Sequence, residues 1–209
     1  MKLLIIGATR GVGFELLKLA LEQNHTVTAL VRDPGRLPIQ HERLRVLKGD
    51  ILNLDSVTAA TENQEAVFTC VGITPTIFTV STFSEGIKNV LTAMQAKGVK
   101  RLIAVTGMGA GDSKGHGGVL YDFLFQPLVL KSIYEDKDRE EELIKASPVD
   151  WVIVRPGMLT NGELTGKYRA FTDLTGITAG SISRKDVADF LLKQLGSNEY
   201  LRKTPLLCY

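Results

Sequence analysis

The segment KLLIIGATRGVGFELLKLALE, Lys2–Glu22, decides how the rest of the chain is read. Its apolar run Leu3–Ile6 suits a strand buried on both faces. A glycine-rich turn, GATRGVG from Gly7 to Gly13, follows at once, and apolar residues then recur at helical spacing from Gly13 to Gln23. Strand, glycine turn and helix in this order form the context in which a glycine pattern signals phosphate binding. The three glycines have distinct expected roles. Gly7 permits the tight turn, Gly11 removes a Cβ where a pyrophosphate approaches, and Gly13 lets the helix pack close to the strand. The amides of the first helical turn then face the phosphates, with Thr9, Arg10 and Val12 completing the loop.

Working outward, further apolar runs rich in β-branched residues fall at Thr26–Val31, Leu44–Leu47, Ala66–Val71, Arg101–Thr106 and Trp151–Arg155. Helical patterns separate them at Leu54–Thr61, Phe83–Lys97, within Tyr121–Ala146 and at Lys185–Leu195. Alternating strands and helices predict a parallel sheet wrapped on both sides. Right-handed crossovers and a phosphate loop after the first strand give the doubly wound order 3-2-1-4-5-6, with room for added C-terminal strands. The fold class expected is therefore α/β, one Rossmann domain over residues 1–209 with a mostly parallel sheet. Its ligand crevice lies at the carboxyl ends of strands one and four, and the glycine-rich segment Gly107–Gly118 is expected to form a loop over it.

The cofactor type is written after the second strand, in VTALVRDPGRLP. An acid there accepts bonds from the adenosine ribose, whereas arginines pair with a 2′-phosphate. Arg32 and Arg36 flank Asp33, and Arg10 is expected to reach the same place, so three guanidinium groups oppose one carboxylate. That predicts NADP over NAD, with Asp33 acting as a turn former before Pro34. Loop arginines are otherwise solvated surface charges.

Bulk composition narrows the classes further. At 209 residues, 44% hydrophobic and 23% charged, the chain suits one ordinary globular domain, and a net charge of +2 supplies no general field for nucleic acid. The two cysteines, Cys70 and Cys208, form no CxxC pair or Cys/His cluster, so neither a disulfide framework nor a metal site is expected. A reducing cytoplasm and a monomer are the expected setting. The run KLLIIGA is too short to span a membrane and lacks a signal-peptide pattern, so no membrane association is expected.

Together with VRDPGRLP, the segments GDILNLDSV (Gly49–Val57), SEGIKNVLTAMQAKGVKRLIAVT (Ser84–Thr106), DWVIVRPG (Asp150–Gly157) and ELTGKYRA (Glu163–Ala170) resemble the atypical short-chain dehydrogenase/reductase family. The likeness covers nearly the whole chain and is greatest to its NAD(P)H-binding, NmrA-like group, which includes biliverdin-IXβ reductase, also called flavin reductase. The resemblance implies an NADPH-dependent reductase of flavins or related planar acceptors. It implies a 2′-phosphate clamp at Arg32 and Arg36, adenine-edge contacts at Asp50 and Ile51, and a turn beside the ribose at Val71 and Gly72. It places Pro156, Gly157 and Met158 near the nicotinamide. The glycine spacing and Arg10 instead resemble the tyrosine-dependent branch of the superfamily, where that arginine accompanies NADPH.

That branch pairs a tyrosine with a lysine four residues later, and no such pair exists here: Tyr121, Tyr134, Tyr168 and Tyr200 are followed at that distance by Phe125, Asp138, Thr172 and Thr204. Alignment puts Lys137 at the lysine position, Ile133 at the tyrosine position and Gly107, after Thr106, where a serine is often found. A ketone accepting hydride needs an acid to relieve the alkoxide, whereas a flavin, tetrapyrrole or quinone spreads the electrons over its own heteroatoms. A planar acceptor stacked on the nicotinamide, with flavin as a substrate, is therefore the expected partner. Thr106, His116 and Lys137 are the catalytic candidates, although a strand-end threonine, a loop histidine and a lysine in the charged helical run YEDKDREEELIK have plain structural or solvated roles as well. Tyr121, Phe123, Phe125, Phe78 and Phe83 offer an apolar wall or simple core. A non-enzymatic redox sensor similar to NmrA-type regulators fits the missing tyrosine equally well, and an isomerase or epimerase lacks a visible acid/base pair.

Overall fold

The computed structural model describes residues 1–76, 78–118 and 130–209, and its strands and helices alternate as the apolar runs predict. In chain order the elements are β1 (Lys2–Ile6), α1 (Gly11–Glu22), β2 (Thr26–Val31), β3 (Leu44–Lys48), α2 (Leu54–Thr61), β4 (Ala66–Thr69), α3 (Thr82–Lys97), β5 (Arg101–Val105), α4 (Lys131–Lys145), β6 (Asp150–Pro156), β7 (Met158–Thr160), β8 (Arg169–Phe171), β9 (Ser181–Ser183), α5 (Arg184–Lys193) and β10 (Leu206–Cys208). The first six strands pair in parallel in the order 3-2-1-4-5-6, and β10 then β8 extend the sheet beyond β6. β10 runs parallel to β6 and antiparallel to β8, while β7 and β9 pair separately. The expected fourth strand is shorter than its apolar run: it ends at Thr69, with the Cys70 amide still donating to the Ile6 carbonyl of β1 at 2.8 Å. Tyr121, Phe123 and Phe125 lie outside the described residues.

Strand geometry explains the two-sided core. Successive side chains point to opposite faces, so Leu3 and Ile5 pack with Leu16, Leu17, Val187 and Leu191 under α1 and α5. Leu4 and Ile6 pack with Val57, Ile87, Val90 and Ile144 under α2, α3 and α4. β3 is an edge strand with only partial burial, so its apolar residues do not mark a strand covered on both faces. No helix among the described residues is long and apolar enough to cross a membrane.

Three helices begin with identifiable partners for their first amides. Asn53 Oδ1 accepts from the Ser56 amide at 2.7 Å at the start of α2, and Ser183 Oγ accepts from the Asp186 amide at 2.9 Å at the start of α5. α3 is capped from outside: Asp136 Oδ2, on α4, accepts from the amides of Phe83 and Ser84 at 2.8 and 3.3 Å. α1 differs, because its N-cap is Arg10, which makes no side-chain capping bond, and its first turn holds no acid.

The run YEDKDREEELIK departs from the reading of it as a simple charged face. Asp136, Lys137, Glu140 and Glu141 are all buried, facing α3 and β6 rather than water. The counterpart of Glu141 is Arg155 on β6, which is 0% exposed. Arg155 Nε donates to Glu141 Oε1 at 2.9 Å and Nη2 to Glu141 Oε2 at 2.5 Å, while Nη1 donates to Asp112. Burial opposes ionisation of Glu141, but the hydrogen bonds and charge of Arg155 outweigh it and hold the carboxyl below its ordinary range. Removing one partner of such a buried pair costs about 3–5 kcal/mol, since the other charge is left uncompensated.

The same arginine fixes the glycine-rich segment. Gly111, at φ +54°, lies against the guanidinium, and a Cβ there would overlap Arg155 Nη2. Its amide donates to Asp138 Oδ1 at 2.7 Å, Lys114 pairs with Asp138, and Ser113 is buried. The expected loop over the crevice is thus tied down along α4.

Glu140 differs from Glu141, because its Oε2 has no hydrogen-bond partner among the described residues. Burial pushes its carboxyl up to about 7; Lys137 opposes the rise and Glu141 and Asp136 add to it. Because the folded-state value lies above the ordinary 4.5, the associated stability is present below about 4.5 and is lost as pH rises through about 7. Glu140→Gln is expected to flatten that loss, so that thermal denaturation shows the variant more stable than the parent at about pH 8 and little changed at about pH 4; parallel pH profiles for the two proteins would contradict the assignment.

Candidate functional site

The carboxyl ends of the parallel strands open into a cleft of about 790 Å³. Its floor is the turn after β1, with Gly7, Thr9, Arg10, Gly11 and Val12 all lining it. Gly7 and Gly13 play the packing roles their spacing predicts. Gly7 has φ +94°, and a Cβ there would stand 2.5 Å from the Cys70 carbonyl oxygen. A Cβ on Gly13 would overlap the Gly7 carbonyl, so Gly13 sets the close packing of helix on turn and does not itself line the cleft. Gly11, at φ +62°, is less crowded: a Cβ there would meet Arg184 Nε at an ordinary contact distance of 3.9 Å. With no side chain capping α1, its first amides keep their donors for an anion seated at Gly11.

At the β2 side the cleft is lined by Arg32, Asp33, Arg36, Asp50 and Ile51. Asp33 caps the short turn Pro34–Arg36, its Oδ1 accepting from the Gly35 amide at 3.1 Å, which is the turn-forming role expected of it. Asp50 Oδ1 accepts from the Leu52 amide at 3.0 Å, and Asn89 Nδ2 donates to the Ile51 carbonyl at 2.9 Å, so both residues are held in place. Arg10 departs from the expected three-arginine cluster. Its Nη2 donates to the Gly72 carbonyl at 3.3 Å, beyond β4, and β4 flanks β1 on the side opposite β2. The residues fit a dinucleotide: an uncapped helix start and open glycine at the centre, and two arginines at one end.

The other end is lined by Val71, Gly72, Thr106, Gly107, Lys137, Pro156 and Gly157. Thr106 is present, but its hydroxyl donates to Glu141 Oε1 at 2.8 Å inside the buried network. Lys137 Nζ stands 4.2 Å over the Phe83 ring; burial lowers its pKa, with Glu140, Glu141 and Asp136 opposing the fall. Burial pushes the Cys70 thiol up to about 12, which leaves no thiolate nucleophile near neutral pH. His116 and Met158 do not line the cleft: a ring nitrogen of His116 is paired with the Ile177 carbonyl at 2.7 Å, and Met158 is 67% exposed. Phe83 lines the cleft, whereas Phe78 is exposed and does not.

Among the lining residues that the sequence reading passed over, Tyr134 and Arg184 carry polar groups of chemical interest. Tyr134, three residues before Lys137, projects its hydroxyl to within 3.0 Å of the Cβ position of Gly107; a search at the four-residue spacing passes over it. Arg184 follows the capping serine of α5, a helix-start signal visible in SISRKD, but its nearness to Gly11 depends on α5 packing against α1.

The geometry agrees with comparisons to known proteins. A family model described as NAD(P)H-binding matches residues 7–198. An uncharacterized sugar epimerase, YhfK of Bacillus subtilis, is 26% identical over 201 residues, spanning 93% of this chain and 88% of the relative. A short-chain dehydrogenase/reductase of Veillonella parvula, solved in complex with NADP, superposes with TM-score 0.84 at 19% identity over 100% of this chain and 94% of that one. ChuY, an anaerobillin reductase from Escherichia coli O157:H7, superposes with TM-score 0.80 at 23% identity over 100% and 97% of the two chains. At such identities the structures show a shared fold. The family match, the doubly wound sheet and the glycine turn with its uncapped helix converge, and the chain belongs to the NAD(P)H-binding family of Rossmann-fold proteins.

Proposed function

We propose that this protein is an NADPH-dependent reductase that delivers hydride directly to a planar, conjugated acceptor: a flavin, a biliverdin-like tetrapyrrole or a quinone. The observation that carries the reading is the commitment of Thr106, whose hydroxyl is spent on Glu141 beside a cleft end bordered by the apolar side chains of Ile73, Phe83 and Ile133. Such an end favours a flat apolar ring over a small ketone that needs an acid. A bound nicotinamide supplies the hydride, and the acceptor's own heteroatoms spread the electron pair while solvent supplies the proton. The chain's residues hold and orient: Gly11 and the first amides of α1 seat the diphosphate, and Pro156 and Gly157 border the nicotinamide end. Lys137 places its amine beside the cleft, and its protonated form suits the negative charge that builds on the reduced acceptor. The same fold in an anaerobillin reductase supports a tetrapyrrole-sized acceptor.

A redox-sensing regulator is the competing reading, and the commitment of Thr106 favours it as well. Steady-state NADPH oxidation with FMN, biliverdin and quinones separates the two. Turnover with stereospecific transfer from deuterated NADPH is expected for the reductase; tight NADPH binding without turnover on any of these acceptors would leave the regulator standing. Tyr134→Phe is expected to keep FMN turnover within about threefold of the parent, because a true general acid contributes about 10²–10⁴-fold. A loss of that larger size would make Tyr134 the proton donor and overturn the solvent-protonation reading.

The NADPH preference rests on Arg32 and Arg36. Replacing both with alanine is expected to weaken NADPH by about ten- to a hundredfold and NADH far less, as titration of each dinucleotide would show. Equal losses for the two would remove the 2′-phosphate clamp.

A further inference from the structure

We propose that Arg184 grips the diphosphate of the bound dinucleotide, the part that NADH and NADPH share, and so sets affinity without choosing between them. The proposal rests on the nucleotide site and not on the identity of the acceptor. Arg184 is the first residue of α5, which packs against α1, and its guanidinium reaches the first residue of α1. From there its side chain lines the cleft directly above Gly11. The space that glycine leaves is bordered by Arg184 alone among the described residues, with Nε 3.9 Å from where a Cβ would sit. An oxygen of a diphosphate resting against Gly11 and the amides of α1 therefore comes within reach of the guanidinium.

The side chain is held in that position without losing its charge. Nη1 donates to Asn161 Oδ1 at 2.8 Å and to the Leu159 carbonyl at 3.4 Å. Both acceptors are neutral oxygens, so the positive charge is not cancelled locally, and Nε and Nη2 have no hydrogen-bond partner among the described residues. A guanidinium tethered at one nitrogen and open at the other two is preorganised for two parallel bonds to phosphate oxygens. Arg32 and Arg36, at the β2 end, act on a different part of the ligand, and Arg10 is turned toward Gly72. The cleft thus reads its ligand with two separate sets of arginines: one for the 2′-phosphate and one for the diphosphate.

Titration of Arg184→Ala with NADPH and with NADH, alongside the Arg32/Arg36 double variant, tests the division. Arg184→Ala is expected to weaken both dinucleotides by the same factor, about ten- to a hundredfold, since a charge-assisted hydrogen bond contributes on that scale. Asn161→Ala, which removes the tether and keeps the guanidinium, is expected to weaken them by much less, and Arg184→Lys to recover part of the loss. Unchanged binding of both dinucleotides by a folded Arg184→Ala protein would overturn the proposal. So would an Asn161→Ala loss as large as that of Arg184→Ala, because it would make the residue a structural tie between β7 and α5. Failure of the parent protein to bind either dinucleotide would instead overturn the nucleotide site itself.

Discussion

The buried pairing of Arg155 with Glu141 is the constraint on which the acceptor end of the cleft depends. A guanidinium with no solvent exposure must have its donors met within the fold, and Glu141 meets two of them while Asp112 meets a third. That one requirement ties the end of β6, the inner face of α4 and the glycine-rich segment after β5 together. It also recruits Thr106, whose hydroxyl completes the carboxylate's shell. A residue that the sequence marks as a catalytic candidate is thereby given a structural partner. Lys137 and Tyr134 project from the same helix, so their positions in the cleft follow from how Glu141 anchors α4.

A second constraint acts at the other end, through close backbone approach. The turn after β1 comes so near the end of β4 and the first turn of α1 that side chains at Gly7 and Gly13 have no room. That contact aims the uncapped start of α1 into the cleft. Phosphate binding there needs no side chain, since the helix start supplies both donors and a favourable dipole. Charged side chains line the same cleft: Arg32 and Arg36 after β2, and Arg184 from α5 beside Gly11.

The strand order, the position of the crevice and the roles of the three glycines were legible because each depends on local pattern and on general rules of handedness. Part of the cleft lining was legible for the same reason, namely the residues that fall at strand ends. What could not be read were contacts made between elements. The charged run of α4 has the composition of a solvated face, and only packing makes its inner side a buried one: α3 against Asp136 and Lys137, and Arg155, on the following strand, against Glu141. Arg10 lies beside the phosphate in sequence but bends toward Gly72, and His116 sits in the expected loop yet turns to Ile177.

The sequence by itself determined a doubly wound parallel sheet with a nucleotide seat after its first strand, because periodicity, glycine spacing and right-handed crossovers leave little freedom. Only the tertiary structure decided which charged side chains line the cleft and which are buried against one another. A buried charge must find its partner wherever the packed elements bring one. For Thr106 and Glu141 that partner was structural, and for Arg184 it left a guanidinium open above Gly11.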